Sequence, residues 1–327
     1  MKTTILALIL TTISLLAQGP LTPPNTPAPT MKTLAQIEAR TPIPPSPAVP
    51  IAGPHFTIDQ PGSYYLTGNL TVTDGDAIRI TASSDVSIDL NGFTIRSTLT
   101  GTGNGRAIHC FSSFTRLTVK NGSLVSGSIT PTTFQGFNAG IFASGTLREV
   151  HISHLLVRGM AGSGIIVNDG IVENCIVSHN GFYGITNGQG SVTNCNANNN
   201  AGDGISVGSG TVTNCNAKNN AGDGIEATKG AVNSCTATFN VEDGIINTQG
   251  IVTNSTASSN GADGISAIAG TVTNCRAFSN FKNGIQVDTG VVAHCVASSN
   301  STDPATMDKE ILVSASGQRD ACVPATE

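Results

Sequence analysis

The sequence predicts an all-β chain folded as one right-handed parallel β-helix, a solenoid of about ten coils with three short strands per coil. Three observations predict it. Glycine recurs at 164, 184, 204, 224, 244, 264 and 284, and isoleucine follows it each time, from Ile165 to Ile285. In the same 20-residue period, glycine returns from Gly170 to Gly290, valine from Val172 to Val292 and asparagine from Asn180 to Asn300. Six of seven copies carry cysteine at one phase, Cys175, Cys195, Cys215, Cys235, Cys275 and Cys295, with Ser255 in the remaining place. A fixed period of this size marks a stacked array, and a solenoid can reach 327 residues by adding coils rather than by thickening a core.

Composition agrees. Only 11% of residues are charged and 4% aromatic. Disordered chains also lack aromatics, but they carry higher net charge and no ordered apolar period. The net charge of −5 leaves no basic footprint, so nucleic acid is not an expected partner.

The period selects among arrays. A leucine-rich repeat needs several leucines per unit, and these coils have almost none. A hexapeptide helix has a six-residue subperiod, which does not divide 20. Positions five apart read Ile205, Gly210, Cys215, Asn220, which is no pentapeptide pattern. Three strands separated by turns do fit. In the coil from Asp203 to Gly222, Ile205 and Val207 point inward with Ser206 outward, Val212 points inward after the "GSG" turn, and Cys215 and Ala217 point inward around Asn216. Asn214 suits a left-handed bend between strands. Each inward position stacks on itself at about 4.8 Å per coil, giving columns of Ile, Val, Cys and Ala and a ladder of asparagines from Asn180 to Asn300. The cysteines read as buried, reduced fillers, because parallel side chains make a poor disulfide torsion. Cys110 is expected inward, and Cys322 exposed in the tail without a partner.

The ends are assigned in order. Residues 1–17 read as a signal peptide, with Lys2 before an apolar run from Ile5 to Leu16 and a cleavage site after Ala17. The alternative, a membrane anchor, needs a longer and less Thr-rich run, so no membrane span is expected in the mature chain. Residues 18–54 hold 11 of 15 prolines and read as a linker. Residues 55–75 read as a hairpin-like cap around Gln60-Pro61-Gly62-Ser63. The β-helix is placed at 76–300, its regular coils beginning at 163, and 301–327 is a C-terminal cap or tail. Looser coils are read at Ile78, Ile108 and Ile141, with His154 in the bend position, Leu155 at the cysteine phase, and Asn121 equivalent to His154. The loops at 97–105 and 125–138 are longer than any later turn. A monomer of about 48 Å is expected at strand spacing.

"NNAGDGI", "VTNC" and "LNGFTI" at 90–95 together resemble the bacterial parallel β-helix repeat proteins of the pectate-lyase-like superfamily. "TLAQIEARTPI" with "FTIDQPGSYYLTGNLT" is similar to the N-terminal portion of exported members. The resemblance spans about residues 33 to 300 and implies the fold. It implies polysaccharide as the substrate or partner class, since members include lyases, hydrolases and epimerases alongside others with no assigned activity. The chain departs from the active members. It has no Asp-Pro-His-Glu, no Asn-Thr-Asp, Asp-Asp or Gly-His-Gly, and no Arg-centred lyase motif. In β-helix lyases the substrate lies on the outer face of the strand matching "GISV".

On that strand the outward column reads Arg79, His109, Phe142, Ile166, Thr186, Ser206, Glu226, Ile246, Ser266, Gln286. Arg79 and His109 fall on neighbouring coils beside Asp76 and Arg106 at the preceding turn. This quartet could bind a uronate and move a proton from its ring; a plain solvated polar face is the competing reading. A second candidate is the row Asp203, Asp223, Asp243 and Asp263 with Glu226, where stacked carboxylates could hold Ca²⁺ or simply satisfy turn amides. No other cofactor is expected. Two functions compete. One is an exported, non-catalytic module that is structural or binds a glycan or surface. The other is a polysaccharide lyase or epimerase acting on a uronic-acid glycan.

Overall fold

Parallel pairing at one-coil offset joins the described strands, from Thr41↔Tyr64 to Val296↔Val323. The computed structural model describes residues 40–49, 51–110, 115–127, 134–145, 148–300, 310–314, 318–320 and 322–324. The expected signal peptide lies outside these residues. The chain from Thr41 onward forms one unit, and no helix occurs among its described residues.

Among the described residues, the glycine–isoleucine column holds twelve rungs in register: Phe56, Ile78, Ile108, Ile141, seven isoleucines from Ile165 to Ile285, and Ile311. Ten were expected. The two extra rungs lie at the ends, where the period is lost. Phe56–Ile58, Gly62–Leu66 and Leu70–Val72 pair in parallel with the next coil, so the expected hairpin-like cap is itself a coil. Alternating apolar and polar residues around a Pro-Gly turn look alike in a hairpin and in a parallel coil. Strand structure also starts inside the Pro-rich stretch, at Thr41–Ile43. Pro42 is tolerated because that strand is the outermost one of its column among the described residues. At the far end, Ile311 follows Ile285 by more than one period.

Each regular coil reads the same way. A nine-residue strand such as Ile205–Thr213 runs through both of the first two predicted strands. Its bend falls on the second glycine column rather than in an unpaired turn. A left-handed corner follows at Asn214 (φ 53°), then the short strand Asn216–Lys218, then a second left-handed corner at Asn219 (φ 56°). The first corner column is Asn174, Asn194, Asn214, Ser234, Asn254, Asn274 and His294; the second is His179, Asn199, Asn219, Phe239, Ser259, Ser279 and Ser299. Short polar side chains hydrogen-bond locally and so tolerate this conformation. His154 (φ 55°) and Asn121 (φ 61°) occupy the first corner upstream, as expected.

The bore is filled by the predicted columns. Ile165 to Ile285, Val172 to Val292 and the repeat cysteines are buried, and burying each isoleucine stabilises by about 1.5 to 3 kcal/mol. The cysteines are free thiols. Each regular thiol donates to the carbonyl two residues earlier; Cys215, for example, donates to Thr213 at 3.3 Å. Cys322 departs from expectation. It is half-buried, donates to the Val292 carbonyl at 3.4 Å as Cys295 does to Val272, and so extends the column by one coil. Its sequence distance from Cys295 hid the shared phase.

The asparagine ladder is continuous. Each Nδ2 donates to the next Oδ1, from Asn180→Asn200 at 2.9 Å through Asn220→Asn240 at 3.0 Å to Asn280→Asn300 at 2.8 Å. Both ends are tied off: the Met160 amide donates to Asn180 Oδ1 at 3.1 Å, and Asn300 Nδ2 donates to Glu310 Oε2 at 2.6 Å. Two further asparagines, Asn187 and Asn247, stand inside the bore where other coils place Val207 or Val287. Their Oδ1 atoms have no partner among the described residues. Asn247→Val is therefore expected to raise stability by about 1 kcal/mol, read as a higher denaturant midpoint at constant slope.

Candidate functional site

The four sequence-predicted residues of the N-terminal coils converge. Arg79 and His109 are paired neighbours on adjacent rungs, and Phe142 follows His109 on the next. Asp76 lies two residues before Ile78 and is buried. Its Oδ1 accepts the Arg106 amide at 3.0 Å. Its Oδ2 accepts Arg79 Nε at 3.1 Å and Nη2 at 3.0 Å, and lies 3.1 Å from His109 Nδ1. Arg106 opens the strand Arg106–Cys110 rather than ending a turn.

Burial pushes the Asp76 carboxyl up, but the hydrogen bonds from His109, the Arg106 amide and Arg79 outweigh it and hold its pKa below the ordinary value. An ionised carboxylate only accepts, so His109 Nδ1 carries the proton of this bond. His109 was expected to face outward, yet its side chain is only 6% exposed. The edge of its ring meets Phe142 at 5.4 Å between centroids, and the Arg106 guanidinium sits 4.7 Å above the same phenyl ring. Phe142 is thus the member that sequence reasoning left outside the site, although it stood next in the outward column. Asp76→Asn keeps the shape and removes the charge. It is expected to cost about 1 to 2 kcal/mol at pH 7, discounted because Arg79 is partly exposed. The depressed pKa makes this contribution full above the ordinary carboxylate range. It fades as pH falls through the lowered value, so mutant and wild-type melting curves should converge in acid.

The acidic row is a second ladder. Asp203, Asp223 and Asp243 Oδ1 accept the amide of the next aspartate at 2.9, 2.8 and 2.8 Å. Asp263 Oδ1 accepts both the amide and Nδ2 of Asn283. These bonds are the turn chemistry weighed from the sequence. Ser206 Oγ donates to Glu226 Oε2 at 2.8 Å nearby. Among the described residues, no group of three or more His, Cys, Asp or Glu is arranged to hold a metal ion. Burial first, then neighbouring carboxylates, raise Asp203 to about 6, Asp223 to about 7 and Asp243 to about 6. The folded chain therefore holds protons that the unfolded chain releases. This stabilisation is full below the ordinary carboxylate pKa of about 3.9 and is lost as pH rises through 6 to 7. The melting temperature is expected to be higher at pH 5 than at pH 8, and Asp223→Asn should shrink the difference.

Two surface features had no clear sequence signal. His151 Nε2 lies 2.8 Å from Glu173 Oε1 on neighbouring coils, beside a shallow groove of about 540 Å³ bordered by Arg148, Glu149, His151 and Asp169. Smaller grooves of about 270 and 370 Å³ follow the second corner column, one beside Phe134, His179 and Asn199, the other between Phe239 and Phe281. Neither pairing is visible before the coil register is known.

The family described as right handed beta helix region matches residues 140–302. The chain is a right-handed parallel β-helix repeat protein. No curated protein matches it in sequence. Among solved structures, this repeat protein is similar to the A-module of the Azotobacter vinelandii mannuronan C-5 epimerase AlgE6. The TM-score is 0.60 at 13% identity, over 81% of this chain and 92% of that one. A double mutant of the periplasmic alginate epimerase AlgG gives 0.61 at 13% identity, over 81% and 76%. The Dettilon tailspike protein gives 0.52 at 12% identity, over 80% and 56%. At these identities the likeness is one of fold.

Proposed function

We propose that this repeat protein is an exported module that binds glycans without converting them. The carrying observation is the state of the Asp76–His109 pair beside the outward strand column. Asp76 and His109 side chains are 4% and 6% exposed and engage each other, so they hold the coils together more than they present an acid or base. The regular coils offer amide, hydroxyl and ring side chains along short turns. Export is supported by the N-terminal signal pattern and by the similarity to a protein named as periplasmic. Glycans are supported as the partner class by similarity to proteins named as mannuronan and alginate epimerases. Incubation with polyuronates and neutral polysaccharides should give no unsaturated product by ultraviolet absorbance and no new anomeric signals.

A second reading rests on the same quartet. In a lyase or epimerase, a base removes the C5 proton of a uronate while a cation neutralises the adjacent carboxylate. An epimerase returns a proton to the opposite face. A lyase expels the 4-linked sugar and leaves a double bond. Arg79, 37% exposed at its side chain, would take the carboxylate, with His109 as the base held by Asp76. Product formation that disappears in both Arg79→Ala and His109→Ala would establish this reading instead.

A further inference from the structure

We infer that the glycan site is the groove between Phe239 and Phe281 along the second corner column, and that it takes a short stretch of uncharged polysaccharide. This rests on the glycan-binding reading and deepens it.

Six of the seven positions in that corner column are His, Asn or Ser, and Phe239 alone is bulky, at φ 58°. A large side chain in the left-handed region is strained, and such strain persists where something other than folding selects it. Phe239 gains nothing from the core, since it is 55% exposed. Phe281, two coils on, is exposed to the same extent.

The groove, about 370 Å³, is bordered by the two rings and by Asn240, Ser259, Asn260, Gly261 and Ser279. None of these carries a charge, so nothing in the lining selects an anionic sugar. The Ser259 and Ser279 hydroxyls make no hydrogen bond to another described residue. The Asn240 and Asn260 side chains are already committed to the ladder. What remains is two phenyl rings and two hydroxyls in a shallow channel. The rings offer apolar area to the C–H faces of pyranoses, and the hydroxyls offer partners for sugar hydroxyls. Adjacent coils rise about 4.8 Å, comparable to one sugar residue, so rings two coils apart would bracket a disaccharide unit. Lys218 Nζ lies 5.4 Å from the centroid of Phe239 and steadies that ring.

The test is calorimetric titration of the full chain with neutral hexose hexasaccharides and with oligouronates, repeated for Phe239→Ser and Phe281→Ala. Serine already stands at positions 259, 279 and 299 of this corner, so Phe239→Ser should fold with an unchanged or higher melting temperature. The expected result is binding to at least one neutral oligosaccharide, insensitive to salt, and weakened about tenfold or more in each variant. Equal binding by wild type and Phe239→Ser would overturn the location while leaving the glycan reading intact. Salt-sensitive binding confined to oligouronates and lost in Arg79→Ala would also overturn it. So would a concentration-dependent dimer in sedimentation that Phe239→Ser abolishes. Binding to no glycan would remove the parent reading itself.

Discussion

Asn240→Ala is expected to lower the unfolding free energy by about 3 to 5 kcal/mol, counting about 1 to 3 kcal/mol for each buried group left unpaired. Asn240 Nδ2 donates to Asn260 Oδ1 at 3.0 Å and to the Ala217 carbonyl at 3.2 Å. Its Oδ1 accepts the Asn220 amide at 3.1 Å and Asn220 Nδ2 at 3.0 Å. Alanine would remove all four bonds, strand the buried Ala217 carbonyl and Asn220 amide, and leave Asn220 Nδ2 with only its bond to the Ala197 carbonyl. Water cannot easily replace the lost partners, because Asn220 and Asn240 are buried. A solenoid coil is stabilised mainly by its two neighbours, so damage at a central rung weakens both interfaces. Equilibrium urea unfolding measures the effect. A loss below about 1 kcal/mol would mean that the ladder is a consequence of stacking rather than a contributor to it.

Gly230→Ala is expected to cost about 3 kcal/mol or more, combining overpacking with backbone strain. Gly230 sits at φ +136°, and a Cβ there would stand 1.8 Å from the Gly210 carbonyl oxygen. The same approach repeats down the column at Gly190, Gly210, Gly250 and Gly290, each at 1.8 to 2.0 Å. The clash is with backbone, so no side chain can give way. Gly92→Ala is the control. Its φ is +80°, but nothing lies within 4 Å of the added Cβ, so only the conformational cost of about 1 kcal/mol or slightly more applies. Comparing the denaturant midpoints of the two variants separates close approach from φ strain.

These two columns also explain how much of the molecule was legible in its sequence. Where one residue type must recur because it meets its own copy one coil away, the requirement is written as a strict period. Asn180 to Asn300 and Gly170 to Gly290 are such cases, and both are found in register. The ends were harder to read. Phe56 and Ile311 occupy rungs, but phenylalanine replaces isoleucine at one and the spacing lengthens at the other.

The candidate sites split along the same line. Asp76, Arg79, Arg106 and His109 were found because the outward column could be counted across coils. That His109 is buried was not legible, because it depends on Phe142 packing edge-on against its ring, with Arg106 in turn over Phe142. The pair His151 and Glu173 and the rings Phe239 and Phe281 come together across 22 and 42 positions only after the corners are formed. Nothing in local composition marks them.

Saturation-transfer proton NMR on a mixture of neutral and uronic-acid oligosaccharides tests the central claim, that the interior columns serve architecture and the outer surface binds glycan without converting it. One spectrum reads both properties, since bound sugars gain saturation from the protein and converted sugars change their anomeric or vinyl signals. The account predicts saturation transfer to at least one oligosaccharide, with every anomeric signal unchanged after prolonged incubation. New anomeric or vinyl signals that vanish in His109→Ala, or no transfer to any sugar, would contradict it.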